Sequence, residues 1–262
     1  MALITTPAVS SSIVSDSSIV SDSASAVALR MRQMTVAVAV IALVLSSLVV
    51  DRAGAQAEPE EAVEAPVTFL QGASDRNLDV YIDGRIAIRN ISFGSFSAPL
   101  LLDEGKHRID LREAGAKRRS KRIARISLDI TDDRPVTVAS YERTNGKLKL
   151  YRKAVDTSWV NGESRLVVRH LAKAGKVTMS YDGGPVFRDM QPGRSRKAVV
   201  PALPFDIDIV TESNGETVPL LSPVRVTLAQ NTVTVLYVVG DFEAGTARAV
   251  FHAYRTPLTQ QG

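Results

Sequence analysis

The chain contains no cysteine. That excludes a disulfide framework, a thiolate metal site, a thiol nucleophile and a lipidated N-terminal cysteine. Aromatic residues make up only 5% of it, with a single Trp, which is little for a surface that stacks on bases or sugars. Its three histidines, His107, His170 and His252, fall in separate strand-like segments with no His-x-x-x-His type spacing. They read as strand residues and not as metal ligands. Also missing are a Gly-x-Ser-x-Gly elbow, a Walker loop, a Gly-x-Gly-x-x-Gly turn and a His-Glu-x-x-His motif. Asp129, Asp132 and Asp133 lack the glycine and spaced carboxylates of a calcium loop, so that stretch reads as a turn. These absences leave no catalytic constellation, no cofactor site and no metal site to expect.

Among what is there, the clearest targeting feature is "RMRQMTVAVAVIALVLSSLVVDRAGAQAEPEE". Arg30 and Arg32 precede sixteen uncharged residues, Thr35 to Val50, and Ala53-Gly54-Ala55 fits an Ala-x-Ala cleavage site. The run is short for a free-standing membrane span, which needs ~20 apolar residues. A cleaved Sec-type signal peptide over 31–55 is the expectation, with an uncleaved anchor as its alternative. Residues 1–30 repeat "SSIVSD" in tandem and show no helical or strand period. They read either as a disordered leader or as untranslated, with the start at Met31 or Met34. Residues 56–65 hold four glutamates and no base, an acidic linker.

From residue 66 the pattern is that of strands. Leu78, Val80 and Ile82 alternate with Asp79, Tyr81 and Asp83, and Asp83-Gly84 signals a hairpin turn. "VTMSYDGGPVFRD" at 177–189 repeats "LDVYIDGRIAIRN" at 78–90, and later segments match at offsets of 97 to 99. A period near a hundred residues marks a duplicated domain. The expected fold is all-β: two tandem immunoglobulin-like β-sandwich modules behind the signal peptide, at 66–152 and 164–256. A linker at 153–163 joins them and a tail follows at 257–262. Trp159 in that linker packs between the modules or caps one of them. Ile82, Ile109, Leu128 and Val138 are expected in the first core, and Met179, Ile207, Val226 and Val235 in the second. Asp83 and Asp182 read as turn residues that fix register, not as ligands.

Charge is uneven. Residues 66–152 carry 17 Lys and Arg against 11 Asp and Glu, and 164–255 carry 11 against 8. Six of the cations fall between Lys117 and Arg125. Lys117, Arg118, Arg119, Lys121 and Arg122 form a candidate anion-binding loop, because clustered cations hold phosphate, sulfate or uronate by several charge-assisted contacts. The competing reading is a solvated loop that keeps the neighbouring edge unpaired.

The stretch "LDVYIDGRIAIRNISFGSFSAPLLLDEGKHRIDLREAG" resembles the secreted bacterial family of domains of unknown function numbered 4397. The resemblance rests on Asp79 to Gly84, Asn90, Phe93-Gly94 and His107 to Leu111. The second repeat departs from it, with Pro192-Gly193 in place of Phe-Gly. A weaker likeness runs to the periplasmic helper family of alginate O-acetylation. What the resemblance implies is a secreted β-sandwich; it brings no activity and no catalytic residues.

The resulting expectation is an exported, non-enzymatic binding or structural protein of the cell envelope or the extracellular space. Its partner would be a polymer or protein there. Nucleic acid is not expected, and the membrane is touched only through an uncleaved signal segment. The alternative is a periplasmic accessory subunit for envelope polysaccharide modification or export. If the cleavage site is read correctly, N-terminal sequencing of exported protein returns Gln56 as the first residue. Membrane-bound protein that retains Thr35 to Val50 would make the segment an anchor.

Overall fold

The computed structural model describes residues 63–73, 76–117, 119–158 and 162–256. The leader, the signal segment, most of the acidic linker, Arg118, Trp159 and the tail lie outside these. All the strands fall in one compact unit, Ala57–Gly262, and no helix occurs among the described residues.

The first module has eight strands: β1 (Glu64–Gln71), β2 (Leu78–Ile82), β3 (Arg85–Ile91), β4 (Leu100–Asp103), β5 (Gly105–Glu113), β6 (Ala124–Ile130), β7 (Val136–Glu142) and β8 (Leu148–Ala154). The second repeats them as β9 (Ser164–His170), β10 (Val177–Tyr181), β11 (Gly184–Met190), β12 (Ser195–Val200), β13 (Pro204–Ser213), β14 (Glu216–Thr227), β15 (Thr232–Val239) and β16 (Arg248–Arg255). Sheet order in the first is β4-β1-β7-β8 and β3-β2-β5-β6; in the second it is β12-β9-β15-β16 and β11-β10-β13-β14. Every strand has its counterpart eight places on, so the duplication read from the sequence is a duplication of topology. In both copies the first and seventh strands pair in parallel, β1 with β7 and β9 with β15.

The hairpin at the start of each copy follows from its two-residue turn. Asp83 and Gly84 both have positive φ (50° and 79°), as do Asp182 and Gly183 (42° and 80°). That backbone twist matches the twist of the flanking strands, and Asp-Gly tolerates it. Half-buried alternation is seen in β13, where Phe205, Ile207 and Ile209 are buried between more exposed neighbours; in β2, where the sequence alternates, Asp79 and Tyr81 are buried along with Leu78 and Val80. The edge strand β14 carries Pro219 and Pro223, which blunt it as a template for further pairing.

Each sandwich has its own core. In the first, Val67, Phe69, Leu78, Val80, Ile109, Leu111, Leu128 and Val138 meet. In the second, Leu166, Val168, Met179, Phe205, Ile207, Leu236 and Val238 do so. Two residues expected in these cores, Ile82 and Val226, are only partly buried and pack against their margins. Ile82 ends β2 at the turn, and Val226 lies on the edge strand β14. Val235 is buried but belongs elsewhere.

It sits in a third apolar cluster built from both modules: Leu70, Ala139 and Tyr141 from the first, and Leu171, Val233, Val235, Tyr237 and Val239 from the second. Strands β7 and β15 are therefore buried on both faces. One face looks into its own sandwich and the other onto the neighbouring module. A Tyr237 hydroxyl donates to Thr137 Oγ1 across this seam at 2.7 Å. The backbone also crosses it, with Gly240 N–H donating to Gly72 O at 3.1 Å. A side chain at Gly72 would run into the Ser140 carbonyl and Val239, so glycine is what lets the chains approach. Lys173 bridges Glu142 of the first module at 3.3 Å and Asp241 of the second at 2.8 Å.

Leu128→Ala is expected to cost ~2–4 kcal/mol as a packed-core truncation. The shared cluster sets a second expectation for the same measurement. Urea denaturation followed by hydrogen exchange in β2 and in β10 should show coincident transitions; two separated transitions would mean that the modules unfold independently.

Candidate functional site

The residues that most resemble chemistry in the sequence are engaged in holding the fold. Asp83 Oδ1 accepts from Arg108 N–H at 2.8 Å, and in the second copy Asp182 Oδ1 accepts from Asp206 N–H at 2.9 Å. Both carboxylates thus tie the hairpin turn to the adjoining strand, as a turn role requires. Buried Asp79 accepts from the Asn90 and Gly115 amides at 2.8 and 3.0 Å, fixing a bulge at Asn90 (φ 53°). In the second copy Thr178 Oγ1 takes its place opposite Asp189 (φ 49°). Asp132 is clamped by Arg134 through both carboxylate oxygens. Among the described residues no three His, Asp or Glu side chains are grouped to hold a metal ion.

The histidines have three different structural roles. His170 is buried, and its Nε2–H donates to Gly175 O at 2.8 Å. Burial pulls its pKa down despite that bond, so it stays neutral. His252 lies edge-on to Phe96 and stacks on Tyr254. His107 has Asp83 Oδ2 at 2.8 Å from Nδ1 and the Asp103 carbonyl at 2.9 Å from Nε2. An imidazolium satisfies both acceptors.

The basic loop connects β5 to β6. Lys117, Arg119, Lys121 and Arg122 are exposed, and none of the four forms an ion pair among the described residues. Arg118 is outside these, so the fivefold cluster is described at four positions. Arg125, the sixth cation of the run, has left it. It enters β6 and grips Asp110 of β5 with two bonds, Nε–Oδ1 at 2.5 Å and Nη2–Oδ2 at 2.9 Å. That grip holds the Asp110 carboxyl below its ordinary range against the opposing effect of burial. The loop is thus pinned at its exit and bare at its tip.

A second cationic region was not singled out in the sequence. It lies at the seam, where the β3–β4 connection and its counterpart between β11 and β12 each lean on the opposite module. Hydrogen bonds fix their equivalence. Gly94 N–H donates to Gln71 O at 2.7 Å, and Gly193 N–H donates to His170 O at 2.6 Å. Gln71 N–H donates to Ser95 O at 3.1 Å, and His170 N–H to Arg194 O at 3.0 Å. Phe93 therefore corresponds to Pro192, and Phe96 to Ser195. On the β4 side Phe96 bridges to Leu70 and meets the Tyr237 ring edge-on at 5.6 Å. The Arg248 guanidinium covers Phe93 at 4.0 Å.

On the β12 side the same positions are polar. Ser195 pairs with Arg169, the counterpart of Leu70. The seam is open beside Ser195, as a cavity of about 260 Å³ lined by Lys153, Val167, Arg169, Ser195, Arg196 and Lys197 among others. It shares Lys153, Ser195 and Arg196 with a neighbouring hollow that takes in Tyr151 and Arg194. Arg169 is 1% exposed. Its Nη1 donates to Tyr237 Oη at 2.9 Å and its Nη2 to Ala154 O at 3.2 Å, while Nε has no partner. Tyr151 and Tyr237 stand by the guanidinium at 5.7 and 5.3 Å, and no carboxylate pairs with it among the described residues. The signal available in the sequence was a break in the repeat, where Leu70 and Phe96 give way to Arg169 and Ser195 ninety-nine positions on.

Comparison with known proteins places the first module. Residues 65–180 match the family model described as Domain of unknown function (DUF4397), a span that covers all of the first module and continues into β10. No curated protein matches the chain. Among solved structures, a "putative cell adhesion protein" from Bacteroides ovatus ATCC 8483 is 10% identical, with 76% of this chain and 100% of that one covered and a TM-score of 0.25. A second protein so described, from Bacteroides uniformis ATCC 8492, is 7% identical over 75% of this chain and 99% of that one, again with a TM-score of 0.25.

His107 and Asp83 give the module a pH signature. Burial works against the His107 imidazolium, but the Asp103 carbonyl and the Asp83 carboxylate outweigh it and hold the pKa above 6.5. Burial likewise opposes the Asp83 carboxylate, and the Arg108 amide with His107 brings its pKa below 3.8. A raised folded pKa means that the stabilisation from His107 is fully present below about pH 6.5, the unfolded value, and fades as pH rises through the folded one. The stability difference between wild type and His107→Gln, read from urea midpoints, should therefore shrink on going from mildly acid to alkaline buffer. A difference that is constant with pH would remove the imidazolium from the account.

Proposed function

We propose that this chain, whose first module matches the DUF4397 family, is an exported, non-enzymatic binding protein of the cell envelope or the extracellular space that engages an anionic polymer. The observation that carries this reading is the exposed cationic tip at Lys117, Arg119, Lys121 and Arg122, none of which forms an ion pair among the described residues, on a scaffold whose histidines and turn aspartates are engaged structurally. Export follows from the sequence signal at 31–55. A β-sandwich does not dictate a function, which rests on the surface it displays.

The loop acts by charge density. Neighbouring cations on one tip lie within a Debye length of ~8 Å, so a polyanion feels them together at physiological salt. A single exposed pair is worth only ~0–1 kcal/mol, so the cluster has to act as a group. Long-range attraction of this sort draws in a flexible polymer without selecting among polymers.

The test is a salt titration of residues 56–262 with a polyuronate and with polyphosphate. Wild type is expected to bind with an affinity that falls as salt rises. A variant with Lys117, Arg118, Arg119, Lys121 and Arg122 all changed to Ser is expected to lose most of the low-salt affinity. Binding that is unchanged in this variant would make the loop a solubilising surface only. No binding by wild type to either polyanion would overturn the reading itself.

A further inference from the structure

We propose that the open side of the intermodule seam is a seat for one acidic group of a linear polyanion, with Arg169 at its floor and Lys153, Arg194 and Arg196 along its walls. This rests on the reading of the chain as a polyanion binder and adds to it a second, more selective site, separate from the β5–β6 loop.

The duplication supplies the internal comparison. One topology occurs twice, and the same connection leans on the neighbouring module each time. On the β4 side the position facing the seam is Leu70, 1% exposed, covered by Phe96. That is sufficient to close the interface. On the β12 side the equivalent pair is Arg169 and Ser195, and both line a cavity there. Closing a seam does not call for this exchange. A buried charge is costly unless it is paired, and replacing buried charges by apolar side chains is often neutral or stabilising. Arg169 nevertheless has no carboxylate among the described residues and keeps one donor, Nε, unused. The tyrosine rings beside it soften that cost without neutralising it.

The acids at the site do not fill this need. Asp156 lines the cavity, but it is bound to Arg165 and Lys197, each at 3.3 Å. The Ser158 hydroxyl and amide, with Arg165 and Lys197, hold its pKa at about 2 against the effect of burial. Asp189 lies in the adjoining hollow, exposed to solvent. What remains unpaired is a buried guanidinium and three exposed cations, Lys153, Arg194 and Arg196. A guanidinium with a free N–H suits a carboxylate, a sulfate ester or a phosphate. The run of cations along the two connected hollows suits further groups spaced along the same chain. Because Arg169 is shielded from water, its attraction is screened less by salt than that of the exposed loop.

Two variants test the seat. Arg169→Leu with Ser195→Phe copies the Leu70 and Phe96 pair into the second module and fills the cavity while keeping the seam apolar. Lys153→Ser with Arg196→Ser removes only exposed charges and leaves the packing alone. Each is titrated, beside wild type and the fivefold loop variant, with a polyuronate, a sulfated glycan and polyphosphate at low and at high salt. The three polymers distinguish the carboxylate, sulfate and phosphate sources of the same chemistry.

The expected result is that the loop variant loses low-salt affinity but keeps a salt-resistant component for at least one polymer. Both seam variants should lose that component by about tenfold or more in Kd. The filling variant should keep a thermal midpoint at or above that of wild type; should it fail to fold, the exposed pair of substitutions decides alone. Seam variants that bind like wild type at both salts overturn the seat and leave the loop standing. Wild type without affinity for any of the three polymers overturns the polyanion reading, and the seat with it.

Discussion

The docking of the two modules depends on the central strands of two sheets being buried on both faces. Strands β1 and β7 of the first module, and β9 and β15 of the second, supply side chains to their own sandwich on one side and to a common cluster on the other. An apolar face exposed to water costs roughly 25 cal/mol per Å², so burying these faces against each other stabilises both sheets. Packing them together turns two sandwiches into a single stack and fixes how the remaining loops meet. The Tyr237–Thr137 bond, the Gly240–Gly72 backbone bond and the Lys173 bridge all lie on this contact, and each needs the sheets to be already in register.

This constraint was partly written in the sequence. Strand β2 and its turn were legible because Leu78, Val80 and Ile82 alternate with Asp79, Tyr81 and Asp83, although the polar face is covered too, Asp79 by the Asn90 and Gly115 amides and Tyr81 by Arg112. The duplication was legible because the Asp-Gly turn, which only a few residue types tolerate, recurs at the same place. The burial of the inner strands was written too, in another form. "TVTVLYVV" in β15 is an apolar run with almost no alternation, which is how a strand covered on both faces reads. Without a partner to place against its second face, such a run does not say what covers it. Val235 was thus expected in a sandwich core and is found between the modules. Ile82 and Val226 were misplaced for a more local reason. Alternation fixes which face a residue takes, but not how far along the strand or toward the edge the cover extends.

The basic loop was legible as composition and only in part as structure. Arg125 stands outside the candidate loop because it falls where the next strand begins, but counting Lys and Arg does not say what it meets there, which is Asp110. The cross-strand register of β5 and β6, with Asp110 opposite Arg125, supplies that partner, and it follows from hydrogen bonding over the whole hairpin. The seam site was less legible still. Its residues are spread from Lys153 to Arg196, and only docking of the modules brings β8 and β12 to one cavity.

A duplicated fold also allows a residue to be judged against its own copy. Where both copies keep the same type, as in Asp83 and Asp182, a shared structural demand is sufficient to account for it: each carboxylate receives the amide of the strand that follows. Where the copies differ at a position that does the same mechanical work, the difference needs another cause. Leu70 and Arg169 both lie beneath the same connection, equally buried, and the leucine shows what closing the seam requires. Arginine there adds a desolvated charge, and with Ser195 in place of Phe96 a hollow opens toward Lys153 and Arg196. The guanidinium bonds Tyr237 and the Ala154 carbonyl, but its charge meets no carboxylate among the described residues and Nε keeps no partner, which leaves a local demand for an anion. The asymmetry between the copies, more than the size of any cavity or the count of any charge, is what marks the second copy's side of the seam as the more specialised surface.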